Sequence, residues 1–248
     1  MNVIDDLLAR GRRSRNAALE TVGGRERTYY DLITNAHKAA NVFRYLGVRR
    51  GSTVAVDPMP RFHTILAFLG AAALGAAVRF DPTAGIEAGD RAVLINVTDE
   101  PRTDPKPGTN LVVFGGPPER PETTHWETEL WSENPMMPPT SVDPDDTVMI
   151  HESTIINQGR LFELARSITN EYAVNAGTRV VLRTNFAERG AVAAGLVAPL
   201  SSGATTVLRD PYPPHEDRLR DSEAIGVVSE PNSHALETRR VVLSARTW

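Results

Sequence analysis

Apolar positions along the chain follow two alternating rhythms. One has spacings of three and four, as on a helix face; the other is a short unbroken run, as in a buried strand. Residues 3–13 predict a short amphipathic helix. Between residues 29 and 46, Leu32, Ile33, Ala36, Ala39, Ala40, Phe43 and Leu46 share one helical face, with Thr28 placed to cap the start and Gly47 just past the end. Residues 53–56 predict a buried strand. Pro60 then stands where a helix can begin, and Phe62, Ile65, Leu66, Phe68, Leu69 and Ala73 cover most sides of it. A strand over 76–80, closed by Asp81-Pro82, completes a βαβ unit.

Strands are predicted over 92–97 and 111–114, separated by a turn-rich run. The stretch 117–144 is dense in proline and reads as a loop without regular structure, held down by Trp126 and Trp131. The alternation then resumes. A strand over 147–151 precedes a helix over 156–172, with Leu161, Leu164, Ala165, Ile168 and Tyr172 on one face. After it come a strand over 179–182, a small-residue helix over 188–200, and strands over 204–208, 224–228 and 239–244. This order predicts an α/β fold of mostly parallel sheets flanked by helices. Residues 1–116 form one α/β lobe in this reading, 117–144 the connection, and 145–248 a second α/β lobe, the two packed as one globular unit.

Composition narrows the chemistry. The 248 residues are 41% hydrophobic and contain no cysteine, which excludes a disulfide scaffold, a thiol nucleophile and any cysteine metal site. A net charge of −4 without a clustered basic stripe argues against a nucleic-acid partner. Of the 27 cationic residues only Lys38 and Lys106 are lysines, so amine chemistry has few candidates. The longest apolar run, 65–78, is too short to span a bilayer, and the N-terminal order of acids before arginines is not that of a secretory signal; a cytoplasmic location is expected.

Self-sufficient motifs are missing: there is no Gly-x-Gly-x-x-Gly, no P-loop and no Gly-x-Ser-x-Gly. His215-Glu216-Asp217 supplies metal-ligand types, but consecutive residues in a proline-flanked loop do not converge on one ion. His151-Glu152-Ser153-Thr154 is better placed, at the C-terminal end of a strand and before a helix, where free N–H groups can meet an anion. His151, Ser153 and Thr154 are therefore the ligand-binding candidates. The plainer alternative is that Ser153 or Thr154 caps the helix.

Three blocks carry a resemblance. Thr28-Tyr29-Tyr30-Asp31-Leu32, the segment 46–56 (Leu-Gly-Val-Arg-Arg-Gly-Ser-Thr-Val-Ala-Val) and the segment 68–78, followed by Asp81-Pro82, match in order and spacing the N-terminal region of the adenylate-forming (AMP-binding) superfamily, which includes acyl-CoA synthetases. Residues 145–150 resemble the strand leading into that family's phosphate loop, and 190–208 its later helix and strand. The resemblance implies the fold of the N-terminal subdomains of acyl-CoA synthetases. It also implies ATP, AMP or CoA as conceivable ligands.

Departures from the pattern change the expectation. The family carries a Ser/Thr/Gly-rich loop ending in Pro-Lys-Gly after that strand, and this chain has His151-Glu152-Ser153-Thr154-Ile155-Ile156-Asn157, with neither glycine nor lysine. A carboxylate about 4 Å from a phosphate charge costs roughly 4 kcal/mol at an effective dielectric of 20. The family's acyl-pocket position falls on Ala187, and Trp248 comes before the adenine-binding segment and the catalytic lysine would appear. The resemblance thus implies a protein without catalytic residues of its own, acting in binding or assembly. The alternatives are one subunit of a split AMP-forming ligase, with a partner polypeptide supplying the other half, and a small-molecule sensor. A homodimer is expected because the full-length fold would cover an apolar face here.

Overall fold

A computed structural model describes residues 1–82, 89–210, 224–229 and 239–243. In chain order the elements are α1 (Ile4–Leu7), β1 (Ala17–Glu20), β2 (Glu26–Thr28), α2 (Tyr29–Tyr45), β3 (Thr53–Val56), α3 (Phe62–Ala73), β4 (Ala77–Arg79), β5 (Asp90–Asn96), β6 (Asn110–Phe114) and β7 (Thr124–His125). They continue with α4 (Trp126–Ser132), β8 (Thr147–His151), β9 (Thr154–Asn157), α5 (Gln158–Tyr172), β10 (Arg179–Leu182), α6 (Ala198–Ser202), β11 (Thr205–Leu208), β12 (Ala224–Ser229) and β13 (Arg239–Leu243). Two sheets result, ordered β7-β6-β5-β3-β4-β8-β9 and β13-β12-β10-β11-β1-β2. Each is parallel except for one edge strand, β9 or β2, which returns as an antiparallel hairpin. The expected α/β class, mostly parallel sheets with flanking helices, is the class observed.

Sheet membership crosses the 117–144 segment. The early hairpin β1–β2 joins the sheet built from residues after 178, and β8–β9 joins the sheet built from residues before 126. That segment consequently does not separate the two sheets. One buried apolar cluster runs through both, from Ile4 and Leu19 through Phe43, Phe68 and Phe114 to Phe162 and Val227.

The α2 prediction matches closely because its caps are local. Thr28 Oγ1 accepts from Asp31 N at 3.1 Å while Asp31 Oδ2 accepts from Thr28 N at 3.1 Å, and Gly47 takes φ 84° just past the end. Helices α2 and α3 then pack at backbone distance: a Cβ on Gly70 would lie 2.8 Å from Ala40 N. That closeness explains the small residues along both.

Elsewhere the structure corrects the sequence reading. The predicted helix over 3–13 is one turn, α1, followed by a 3₁₀ turn over Arg10–Arg12. Strands β1 and β2 were not expected. The proline-rich segment contains β7 and α4, because prolines flank but do not enter them, and the fully buried Trp126 packs on Phe43 with ring centroids 5.2 Å apart. Trp131, one turn on, is 86% exposed. The buried Glu100 carboxylate ties this segment to the 3₁₀ turn Val97–Arg102 by accepting from Glu119 N at 2.7 Å and Arg120 N at 3.2 Å. Burial pushes Glu100 up, but these N–H donors outweigh it and hold the carboxyl below its ordinary range.

The small-residue helix contains a π turn, Ala193–Val197. Pro199 has no N–H to return to Gly195 O, and that carbonyl accepts Thr206 Oγ1 at 2.9 Å instead.

Candidate functional site

In a doubly wound sheet, ligands gather outside the C-terminal ends of the strands, at the point where strand order reverses. In the seven-stranded sheet that reversal lies at β3, from which the chain moves to β4 on one side and later to β5 on the other. The ends of β3, β4, β6, β7 and β8 place Asp57, Phe80, Gly115, His125 and His151 along this edge. The start of α3 adds His63.

At one end of the edge, β8 turns directly into β9. His151 pairs with Thr154, leaving Glu152 and Ser153 as a two-residue loop, with Glu152 in the left-handed region at φ 52°. Helix α5 starts only at Gln158, and its cap is Asn157, whose side chain accepts from Arg160 N at 2.8 Å. The expected helix N-terminus at Ser153 and Thr154 is therefore absent, and neither residue caps a helix. Two signals in the sequence point to the hairpin: Thr154-Ile155-Ile156 is a β-branched run, and Asn157 is a strong cap.

His151 and Ala187, singled out separately, are brought together. His151 Nε2 donates to Ala187 O at 2.6 Å, which leaves Nδ1 buried and without a hydrogen-bond partner among the described residues. The contact holds the end of β8 to the turn after β10. There Phe186 N donates to Pro58 O at 2.8 Å, and the Phe186 ring lies 5.3 Å from Phe80. Arg189 Nη2 reaches Glu152 Oε2 at 3.2 Å. Ser153 is exposed, and His215-Glu216-Asp217 lies outside the described residues.

Further along the same edge is a cluster that sequence reading missed. Glu127 Oε1 accepts from Gly115 N at 2.7 Å and lies 3.7 Å from His63 Nε2, while Glu127 Oε2 is 3.4 Å from His125 Nε2. His63 stacks on Phe114 with centroids 5.4 Å apart. Its burial lowers the imidazole pKa against the opposing pull of Glu127. Nearby Asp57 is raised, chiefly by burial, although its Oδ1 accepts from Met59 N at 2.7 Å. Among the described residues no three His, Cys, Asp or Glu side chains form a metal-binding group. The separation of Glu127 from His63 by more than 60 residues hid this cluster from sequence motifs.

The geometry thus provides a strand-end edge at which β8 and β9 are joined by a tight turn bearing a carboxylate. The fold is that of the N-terminal domains of acyl-CoA ligases. The solved structure of a benzoate CoA ligase from Burkholderia xenovorans superposes with a TM-score of 0.77 at 18% identity, covering 98% of this chain and 55% of that one. An anthranilate CoA ligase in complex with anthranoyl-AMP gives 0.75 at 18%, covering 92% and 49%. The N-terminal domain of FACL13 from Mycobacterium tuberculosis gives 0.72 at 19%, covering 93% and 64%. This chain spans about half the length of the two ligases. No protein-family model matches the sequence, and no curated protein does. Among the described residues no helix is long and apolar enough to cross a membrane.

Proposed function

We propose that this chain by itself does not form acyl adenylates and acts as a binding or assembly protein built on the ligase N-terminal fold. The observation that carries this reading is the Glu152-Ser153 turn. Phosphoryl-type transition states are stabilised by preorganised N–H donors and cations converging on the transferred group. A two-residue hairpin loop offers no such cradle, and Glu152 adds a like charge. Arg189 is the nearby cation, and it faces that carboxylate.

ATP–pyrophosphate exchange, run with benzoate and other simple carboxylates on chain verified as folded, tests the reading directly. Background exchange is expected; exchange clearly above a protein-free blank overturns it. Calorimetric titration with Mg-ATP, AMP and CoA then separates pure assembly from a sensor role. Binding without exchange would direct substitutions to His151, Ser153 and Thr154.

The assembly we propose is a homodimer; Tyr45 and Trp131, 81% and 86% exposed, are the most exposed of the large apolar side chains among the described residues. A monomeric mass by light scattering at physiological salt overturns that part.

A further inference from the structure

We infer that a basic pocket at the opposite, N-terminal edge of the seven-stranded sheet binds a small phosphorylated organic molecule. The pocket encloses about 400 Å³. It forms where the chain leaves α2: Arg44 stands in the last turn, Gly47 at φ 84° reverses direction, and Arg49 and Arg50 lead into β3. Leu74, at the end of α3, gives the pocket an apolar wall, and Thr140 and Ser141 bring hydroxyl groups from the connecting segment. Thr140 Oγ1 donates to Ala73 O at 3.0 Å, which fixes that segment against α3.

Two of the three guanidinium groups are held in place by contacts that leave donors over. Arg49 Nη1 donates to the carbonyls of Arg44 and Val48 at 2.6 and 2.7 Å. Arg50 reaches Asp146 Oδ1 through Nε at 2.8 Å and Nη2 at 2.6 Å. A Cβ on Gly75 would lie 3.0 Å from Arg50 Cγ, so the glycine makes room for this packing. Arg44 has no side-chain hydrogen bond or ion pair among the described residues. Among the described residues no acidic side chain lines the pocket, and the carboxylate of Asp146 faces Arg50 from outside it.

Three cations line this concavity, and Arg50 is matched by Asp146, with Asp145 beside it in the adjoining pocket; Arg44 and Arg49 leave about two positive charges in the lining to be matched. A phosphate monoester carries close to that charge, and its oxygens fit the planar forks of arginine. The volume lies in the range of small-molecule sites, roughly 300–1,000 Å³, and exceeds what phosphate alone would fill. The Leu74 wall accounts for the organic part. The pocket lies where β3 and β4 begin, whereas the Glu152 turn follows the end of β8, so this inference is independent of the adenylation question.

Titration of the whole chain at low salt with inorganic phosphate and with phenyl phosphate, read by calorimetry, tests it. We expect saturable binding of phenyl phosphate with a Kd on the order of 1 mM or tighter, and weaker binding of inorganic phosphate. Arg44→Ala should weaken phenyl phosphate binding at least about tenfold without changing the melting temperature, since that side chain has no hydrogen-bond or ion-pair partner among the described residues. Arg102→Ala, which removes an exposed arginine paired with Asp99 elsewhere, should leave binding unchanged. No saturable binding by folded chain, or unchanged binding by Arg44→Ala, overturns the site. Equal affinity for the two probes overturns the assignment to an organic phosphate.

Discussion

Two segments of this molecule are built alike: β1–β2–α2 and β8–β9–α5 are each an antiparallel hairpin whose second strand runs straight into a long capped helix. Each hairpin extends one sheet while its helix packs with elements that serve the other. In both, the first helical residue is buried and reaches across. Tyr29 Oη donates to Ala204 O at 2.7 Å; Gln158 Nε2 donates to Ala72 O at 2.9 Å while its Oε1 accepts from Ile4 N at 2.7 Å. The units differ at their loops. The first turns through five residues, with Gly24 at φ 75° and Thr21 bonded to Arg25 across it. The second turns through two, with a glutamate at φ 52°. A glycine loop at a strand end is adaptable and can approach an anion; a two-residue turn is closed, and the position that resemblance assigns to phosphate contacts is of the closed kind.

The crossing contacts should dominate the energetics of both units. Gln158→Ala leaves the buried Ile4 N–H without its partner and takes one donor from Ala72 O, which keeps Gly75 N at 3.1 Å, so a loss of about 3 kcal/mol in urea unfolding is expected, against about 1 kcal/mol for Tyr29→Phe. Equal losses would show that the two units are more alike than their contacts suggest.

Charge gives the next largest difference. Glu20, at the end of β1, accepts from Arg179 at 2.6 Å and from Arg209 at 2.9 Å. Burial pushes its carboxyl up, but the two arginines outweigh it and hold the pKa below the ordinary value. A depressed carboxyl stabilises the fold above its unfolded pKa and loses that contribution as pH falls through the folded pKa. Glu20→Gln should therefore cost about 2 kcal/mol at neutral pH, with the difference from wild type closing as unfolding is measured at progressively more acidic pH.

Asp5 shows the reverse sign. Burial, reinforced by Asp6, raises its pKa to about 6. The fold therefore favours the neutral carboxyl, and stability on this account falls as pH rises from the ordinary carboxylate range through about 6. Asp5→Asn should stabilise by about 1 kcal/mol at pH near 8, discounted for its partial exposure, and by little at pH near 4.

The loops themselves give the smallest effects. Glu152→Gly should raise stability by about 0.5–1 kcal/mol by relieving the positive φ, whereas Gly24→Ala should lower it by a similar amount. Loss of stability in Glu152→Gly would mean that the Arg189 contact outweighs the backbone strain.

Several features were legible from sequence because their causes are local. Thr28, Asp31 and Gly47 delimit α2 through contacts within one helix, and the apolar runs of β3, β4, β10 and β11 mark strands buried on both faces. The proline-rich segment misled because proline constrains only its own neighbourhood; Thr124–Ser132 is free of it and folds under Trp126. The helix expected over 156–172 begins two residues later, at Gln158, because Ile156 continues the apolar pattern of α5 while pairing with β8 decides in favour of strand.

The sequence by itself determined the α/β class, the caps of α2, the resemblance and the absence of glycine and lysine from residues 151–157. Tertiary structure alone decided which sheet each hairpin joins, the meeting of His151 with Ala187, the clustering of His63 and His125 about Glu127, and the arginine pocket. These depend on pairings between residues distant in the chain, which propensity and spacing do not encode. They are selected by the common burial of apolar surface and the pairing of backbone groups when the whole chain folds.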